Sequence, residues 1–356
     1  MSNSPLPTED LAAVTAAIAP WMTPWRGKRI LLTGANGFFG HWLVETFHHA
    51  NQALGLGATL VAVTGPDADI ARTSPHFPGM KDVQLVQADI RRLRHELGAH
   101  GGVISAGIDA VINTAIHVDT TTYAAQPLET LETAIVGSWE VMELARQCGA
   151  QRVLLTSSGA VYGTQPPDLE RIPEEHSSAL DPTNTALAYG EGKRACEMIG
   201  SCYHREHGTE VVMVRPFAFV GPRLPIDRHF AIGNFIRDAL AGGPVVVSGD
   251  GRPVRSYLYA ADLAVALWAL LAKGTAGRAY NVGSERAQSL GEVASVVARA
   301  ADPSMKVEVR GAPAAGPAPR YIPDTSRLRS ELGVQQSVEL GDAIARTLAW
   351  HRGSSR

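Results

Sequence analysis

Six short apolar runs, "RILLTG", "TLVAVTG", "VQLVQAD", "AVINTA", "RVLLTSS" and "EVVMVRPF", recur along the first 217 residues, with helix-like stretches between them at 40–53, 127–148 and 188–207. As a set they lack the strict polar/apolar alternation of a strand with one wet face. They read instead as strands buried on both sides, which is the habit of a parallel sheet covered by helices. A β-α-β rhythm of this length restricts the chain to an α/β architecture, with crossover helices on both faces of a doubly wound sheet.

At about 150 residues per domain, 356 residues suggest two lobes. The first 27 residues are expected to be a helical extension, with a helix over Thr8 to Ala19 ended by Pro20 and Trp21 and Trp25 packing it on the body. Residues 28–220 carry the rhythm just described. From 221 to 356 the pattern coarsens into a smaller mixed α/β lobe, some of whose strands and helices return to the first domain. There "GPRLPIDRHF" is turn-rich, 229–241 is helical and "PVVVSGDGRPVRSYLY" reads as strand, turn, strand. The stretch "RGAPAAGPAPR" at 310–320 reads as an exposed loop able to border a cleft.

Lys and Arg number 32 against 35 Asp and Glu, so the net charge of −3 offers no broad attraction for nucleic acid or an anionic membrane. An anionic ligand must therefore be met by local groups. No apolar run reaches the ~20 residues of a membrane span. The N-terminus lacks a basic segment and carries Glu9 and Asp10 ahead of its apolar stretch, unlike a signal peptide. Cys148, Cys196 and Cys202 are odd in number and show no metal spacing, and the histidines are scattered. The expectation is a soluble cytoplasmic protein with no disulfide framework and no metal.

In "LLTGANGFFGHWL", Gly34, Gly37 and Gly40 lie between the first strand and the first helix. Glycine there lets the backbone turn tightly and approach a pyrophosphate, which the free N–H groups and positive end of the helix then hold. Gly34, Asn36, Gly37, Phe38, Phe39 and Gly40 are the cofactor-loop candidates of a Rossmann-type fold. Downstream, "AYGEGKRACE" sets Tyr189 and Lys193 four apart on one helical face, and "LLTSSGAVYG" puts Ser157 and Ser158 at a strand end bordering the same cleft.

Taken in order, these motifs resemble the extended short-chain dehydrogenase/reductase family, in its nucleotide-sugar epimerase and dehydratase branch. The resemblance runs over about residues 28–350. It includes the glycine loop, Ala88-Asp89, "SSGAVYG" at 157–163, Tyr189 with Lys193, "RPFAFVGP" at 215–222, "GDGRPVRSYLYAADLA" at 249–264 and "YNVGS" at 280–284. It implies that Tyr189 is the general acid/base, that Lys193 favours its phenolate and binds the nicotinamide ribose, and that Ser158, in preference to Ser157, holds the reacting oxygen. Asp89, with Ile90 beside it, is implied at the adenine, although an Asp at a strand end is also a common cap. Arg255 is implied at the diphosphate of a sugar nucleotide, with Arg223, Arg320 and Asn234 as further substrate candidates. His117, after the fourth strand, falls where that strand opens onto substrate, and Ser157 joins the same set.

Departures from the family pattern sharpen the expectation. NAD-using relatives place an Asp after the second strand where this chain has Thr64. Asp67 is the available substitute, while Arg72 suits a 2′-phosphate, and NAD is expected in preference to NADP. The Asn common in "RxxNxYGP" is Ala218, and the histidine opening the fourth-strand motif is Asn113. After Ser158, hexose 4,6-dehydratases of this branch carry Asp-Glu, the acid and base of water elimination, and this chain has Gly159 and Ala160. The resemblance then implies an NAD-dependent nucleotide-sugar 4-epimerase working through a transient 4-keto sugar. The rival enzymes are a nucleotide-sugar 4,6-dehydratase and an NADPH-dependent 4-ketoreductase, and the non-enzyme rival is a dinucleotide-binding scaffold or redox sensor. A homodimer through a two-helix face, with the helix around 131–145 contributing, is implied as well.

Overall fold

The computed structural model describes residues 3–99, 106–116, 125–228, 230–312 and 315–353. The strands of the first half are β1 (Arg29–Thr33), β2 (Thr59–Thr64), β3 (Val83–Gln87), β4 (Ala110–Asn113), β5 (Arg152–Thr156) and β6 (Glu210–Pro216). Short strands follow: β7 (Phe219–Val220), β8 (Val245–Val247), β9 (Val254–Arg255), β10 (Leu258–Tyr259), β11 (Ala279–Val282), β12 (Gln288–Ser289), β13 (Val307–Val309) and β14 (Arg320–Tyr321). The main sheet has the order β11-β6-β5-β4-β1-β2-β3, and all its pairings are parallel. The seventh strand thus comes from beyond residue 221.

Strand side chains alternate between two helical layers. Ile30, Leu32, Leu60, Leu154 and Val212 join the core shared with the helices Phe38–Ala53 and Ala260–Lys273. Leu31, Val61, Leu155 and Val211 face the other way, against the helices Pro127–Cys148 and Ala188–His207. Both faces are dry, which is why the runs carry no alternation. Pro127 opens its helix at a position needing no N–H donor, and Gly149 at φ 73° closes it in a left-handed turn.

The N-terminal helix runs over Thr8–Met22, through Pro20 rather than ending there. Pro20 removes one N–H bond of the last turns and crowds the Ala16 carbonyl, yet buried Ile18 and Met22 continue the face set against the rest of the core and carry the helix past it. Asp10, fully buried, accepts from the Tyr259 hydroxyl at 2.5 Å and from Arg346 at 2.6 Å. The first helix is therefore locked to the C-terminal helix Leu340–Gly353 by charge as well as by packing.

Sheet order places the site. The chain crosses from β3 at one edge to β4 beside β1, so connections leave β1 and β4 in opposite directions and a crevice opens at their carboxyl ends. Gly34 follows β1 and Thr114 follows β4. Among the described residues no helix is long and apolar enough to cross a membrane.

Candidate active site

Steric limits at the crevice explain the glycines. Gly34 has φ +76°, and a Cβ there would lie 2.8 Å from the Ala115 Cα. At Gly40 a Cβ would come within 2.2 Å of the Gly34 oxygen. Both positions therefore exclude any side chain, so that loop, helix and β4 close up as one unit. Gly37 is the N-cap of the helix Phe38–Ala53 and provides no side-chain cap, so the first-turn N–H groups are left for an anion. Asn36 accepts from the Gly65 amide at 3.1 Å and ties the loop to the end of β2. Phe38 and Phe39 pack on each other, and Phe39 sits edge-on to Phe219. These residues fit a dinucleotide pyrophosphate.

The adenosine side is less like its sequence expectation. Thr64 is buried and turns its hydroxyl to the Val86 carbonyl at 3.5 Å, so it faces its neighbouring strand. Arg72 is largely exposed and pairs with Asp69 at 3.4 Å. Asp89 accepts from the Arg91 amide and guanidinium, the latter at 2.6 Å, which makes it the cap of the turn Ile90–Arg92. The Arg91 hydrogen bond holds its carboxyl below the usual range, against a smaller opposing effect of burial. Ile90 packs against Gly137 on the helix Pro127–Cys148.

At the other end of the crevice the structure brings Ser158, Tyr189 and Lys193 together. Ser158 follows β5, and its Oγ accepts from the Ala160 amide at 3.1 Å while also bonding the Tyr189 side chain. Lys193, one turn along the helix, lies 6.0 Å from the Tyr189 ring centre and donates to the Thr156 carbonyl at 2.5 Å. Burial pushes the Tyr189 phenol up, the Ser158 hydrogen bond opposes it, and burial also pulls the Lys193 ammonium down. A lysine lowering the phenol is thus not what this arrangement displays: the ammonium is spent on a carbonyl. Ser157 points elsewhere, donating to Glu197 at 2.5 Å, and Glu197 in turn is ion-paired with Arg215 at 2.7 Å.

Sequence reading missed Tyr321. A Cβ on Gly159 would lie 2.4 Å from its hydroxyl, and the Ser158 hydroxyl beside it acts to lower its phenol. The ring is held against Phe217 at 4.5 Å between centroids, and the Arg255 guanidinium lies 6.0 Å from its centre. Burial, with Tyr189 nearby, drives the Tyr321 phenol well above its usual range. Two phenols therefore flank one serine, and the space above residue 159, which a dehydratase carboxylate would need, holds a tyrosine hydroxyl. The signal was Gly159 itself: a side chain missing from a packed site is replaced by one from elsewhere.

Arg255 lies opposite Tyr321 in the β9/β14 ladder and donates to the Val254 and Pro319 carbonyls. Arg320 pairs with Val254, so it projects to the other face and reaches only the Glu170 carbonyl, at 3.4 Å. Asn234 accepts from Arg237 at 2.9 Å on the helix Ala231–Leu240. Arg223 is not directed at the reacting end: it donates to the Thr73 and Ser4 carbonyls, each at 2.7 Å. His117 lies outside the described residues. Among the described residues no group of His, Cys, Asp and Glu is placed to hold a metal ion, and the three cysteines are free thiols.

A glycine loop that fits a pyrophosphate, with a serine, tyrosine and lysine grouped beyond it, is an arrangement suited to a dinucleotide-dependent enzyme. A sequence model described as the NAD dependent epimerase/dehydratase family matches residues 30–283, and the chain belongs to that family. It is an enzyme of that family with NAD as its cofactor, as the motif order in its sequence implied. UDP-glucuronic acid decarboxylase 1 of Arabidopsis thaliana is 30% identical over 324 residues, 90% of this chain and 69% of that protein. UDP-glucose 4-epimerase of Thermus thermophilus, solved with NAD, superposes with a TM-score of 0.75 at 26% identity, over 91% of this chain and 99% of that one. The dTDP-glucose 4,6-dehydratase of Streptomyces venezuelae shares the fold, with a TM-score of 0.74 at 24% identity over 91% and 97% of the two chains.

Proposed function

We propose that this enzyme is a nucleotide-sugar 4-epimerase that oxidises and re-reduces C4 of a sugar joined to a nucleoside diphosphate. The observation that carries the reading is the Tyr321 hydroxyl lodged over Gly159, with Ala160 next to it, where an elimination would need two carboxylates. Bound NAD, held by the Gly34–Gly40 loop and the first turn of Phe38–Ala53, supplies the acceptor and donor of the C4 hydrogen. Tyr189 takes the proton of the sugar 4-hydroxyl and later returns it to the same oxygen. Ser158 steadies that oxygen while it is a carbonyl. Lys193, whose ammonium donates to the Thr156 carbonyl one helical turn from Tyr189, is suited to hold the nicotinamide ribose. Arg255 is suited to the diphosphate by its fork of donors.

A second reading is favoured by one observation, the 30% identity to proteins named UDP-glucuronic acid decarboxylases. Oxidising C4 of a hexuronic acid makes a β-keto acid, which loses CO2 with no acid/base pair at residues 159 and 160. Incubating the NAD-loaded protein with UDP-glucose, UDP-N-acetylglucosamine and UDP-glucuronic acid separates the two. A C4-inverted hexose supports the epimerase, whereas CO2 release from UDP-glucuronic acid without any C4 epimer replaces it with the decarboxylase. A 4-ketoreductase would consume exchangeable NADPH instead of retaining its cofactor. The joint placement of Ser158, Tyr189 and Lys193 weighs against a mere dinucleotide-binding scaffold.

The same reading includes a homodimer. Leu128, Val136 and Trp139 on one helix and Met198 on its neighbour are exposed, forming an apolar stripe on the paired helices Pro127–Cys148 and Ala188–His207. Sedimentation at micromolar concentration tests it, and Trp139→Glu is expected to give monomers. Free thiols at all three cysteines accord with a cytoplasmic setting.

A further inference from the structure

The residues ahead of the first helix lie outside the family match at 30–283, yet they are bonded to the cofactor half of the molecule. The Leu6 amide donates to Glu45 on the helix Phe38–Ala53 at 2.7 Å, and the Pro5 carbonyl accepts from Trp350 at 2.9 Å. The Ser4 carbonyl accepts one arm of Arg223. Arg223 has φ +74°, a left-handed backbone that glycine would adopt without strain, and its guanidinium lies 5.6 Å from the Trp350 ring centre. An arginine kept in such a turn points to a use for its side chain.

The other arm of Arg223 donates to the Thr73 carbonyl at 2.7 Å. The next residue, Ser74, is fully buried and bonds His41 Nε2 at 2.6 Å, while His41 Nδ1 bonds the Gly37 carbonyl at 2.8 Å. A carbonyl only accepts, so Nδ1 carries the proton and the Ser74 hydroxyl donates to Nε2. Burial first, then the Arg223 charge, pull the His41 ring down to about 3, so it stays neutral at ordinary pH and this bond pattern persists. One continuous path runs from Ser4 through Arg223, the 73–74 backbone and His41 to Gly37, the N-cap of the pyrophosphate helix. The 70–77 segment follows β2, on the adenosine side of the crevice.

We propose that this path is a cofactor clamp: Arg223 and His41 are positioning residues that hold segment 70–77 against the glycine loop, and residues 4–6 lock it shut so that NAD is retained between turnovers. The proposal rests on the NAD assignment and goes beyond it. By ordering the segment before binding, the clamp removes an ordering cost that NAD would otherwise meet.

Calorimetry with NAD and stopped-flow release of NADH test it on the full chain. Arg223→Gly is the decisive variant because it suits the φ +74° backbone, so the turn and the fold are kept while the clamp is open. Its NAD dissociation constant is expected to rise about tenfold, the scale of one lost charge-assisted hydrogen bond, with faster NADH release and unchanged UDP affinity. Arg223→Lys should fall between. His41→Gln should weaken NAD similarly, and the double variant by less than the product of the two, because both break one path. Variants that bind NAD as wild type does, whether or not they melt lower, overturn the clamp alone. A wild-type protein that binds no NAD(H) overturns the cofactor assignment and the clamp with it.

Discussion

Gly159→Ala tests the packing that sets the chemistry. The new Cβ would lie 2.4 Å from the Tyr321 hydroxyl, 2.9 Å from its Cζ and 3.0 Å from Phe217 Cε2, where ordinary contact begins at 3.4 Å. The shortfall against the hydroxyl is 3.4 − 2.4 = 1.0 Å. Phe217 packs on the ring and itself lies 3.0 Å from the new Cβ, so relief requires the Tyr321 ring to shift away from residue 159. Overpacking of this kind costs about 1–3 kcal/mol. At about 2.1 cal/mol/K of unfolding entropy per residue, the 356-residue chain has about 0.75 kcal/mol/K, so about 2 kcal/mol lowers the Tm by about 3 °C. Turnover should fall about tenfold as the Tyr321 hydroxyl is displaced from beside Ser158. Scanning calorimetry and initial rates, run with and without Tyr321→Ala, provide the check. In the Tyr321→Ala background the alanine should add under about 0.5 kcal/mol. A Gly159→Ala protein with wild-type Tm, or an equal cost in both backgrounds, refutes the argument.

Three further outcomes follow from the same site. Tyr189→Phe should keep fold and NAD while losing at least about a hundredfold in turnover, because only the proton-carrying hydroxyl goes; near-normal rates would remove Tyr189 from the chemistry. Burial raises the Tyr189 pKa and the Ser158 bond lowers it, so activity should climb with pH through an alkaline limb, and Ser158→Ala should move that limb higher. A kcat/KM profile with the limb unmoved or moved down contradicts this sign. Gly40→Ala should abolish NAD binding in calorimetry, since its Cβ would press on the Gly34 oxygen at 2.2 Å, and retained binding would mean that the loop is not the pyrophosphate site.

The parts legible in the sequence are those coded locally. Non-alternating apolar runs give the strands of a sheet buried on both faces, and the 34-37-40 glycines and the 189-193 pair sit at spacings that survive folding unchanged. Tyr321 was not legible, because it reaches Ser158 only through the two-residue ladder of β14 on β9, a contact 163 positions away (321 − 158) with no periodic trace. Arg223 misled for the same reason: an arginine just after "FVGP" suits a phosphate until Ser4, 219 positions upstream, takes up one of its arms. Asp89 was open to both readings, and the structure shows the capping one, through the Arg91 contact two residues on. Pro20 reads as a stop, yet packing across the core carries the helix two residues past it.

In a 4-epimerase the carbon skeleton is oxidised and re-reduced at C4 and nowhere deprotonated. Turnover in heavy water measures this directly, with NMR and mass spectrometry of the product after exchangeable hydroxyls are returned to protium. Because Tyr189 exchanges its proton only with the 4-oxygen, the product should be a C4-inverted sugar nucleotide of unchanged mass with no carbon-bound deuterium. Deuterium fixed at C5, in a product lighter by one water or by CO2, would contradict it and assign the enzyme to elimination or decarboxylation.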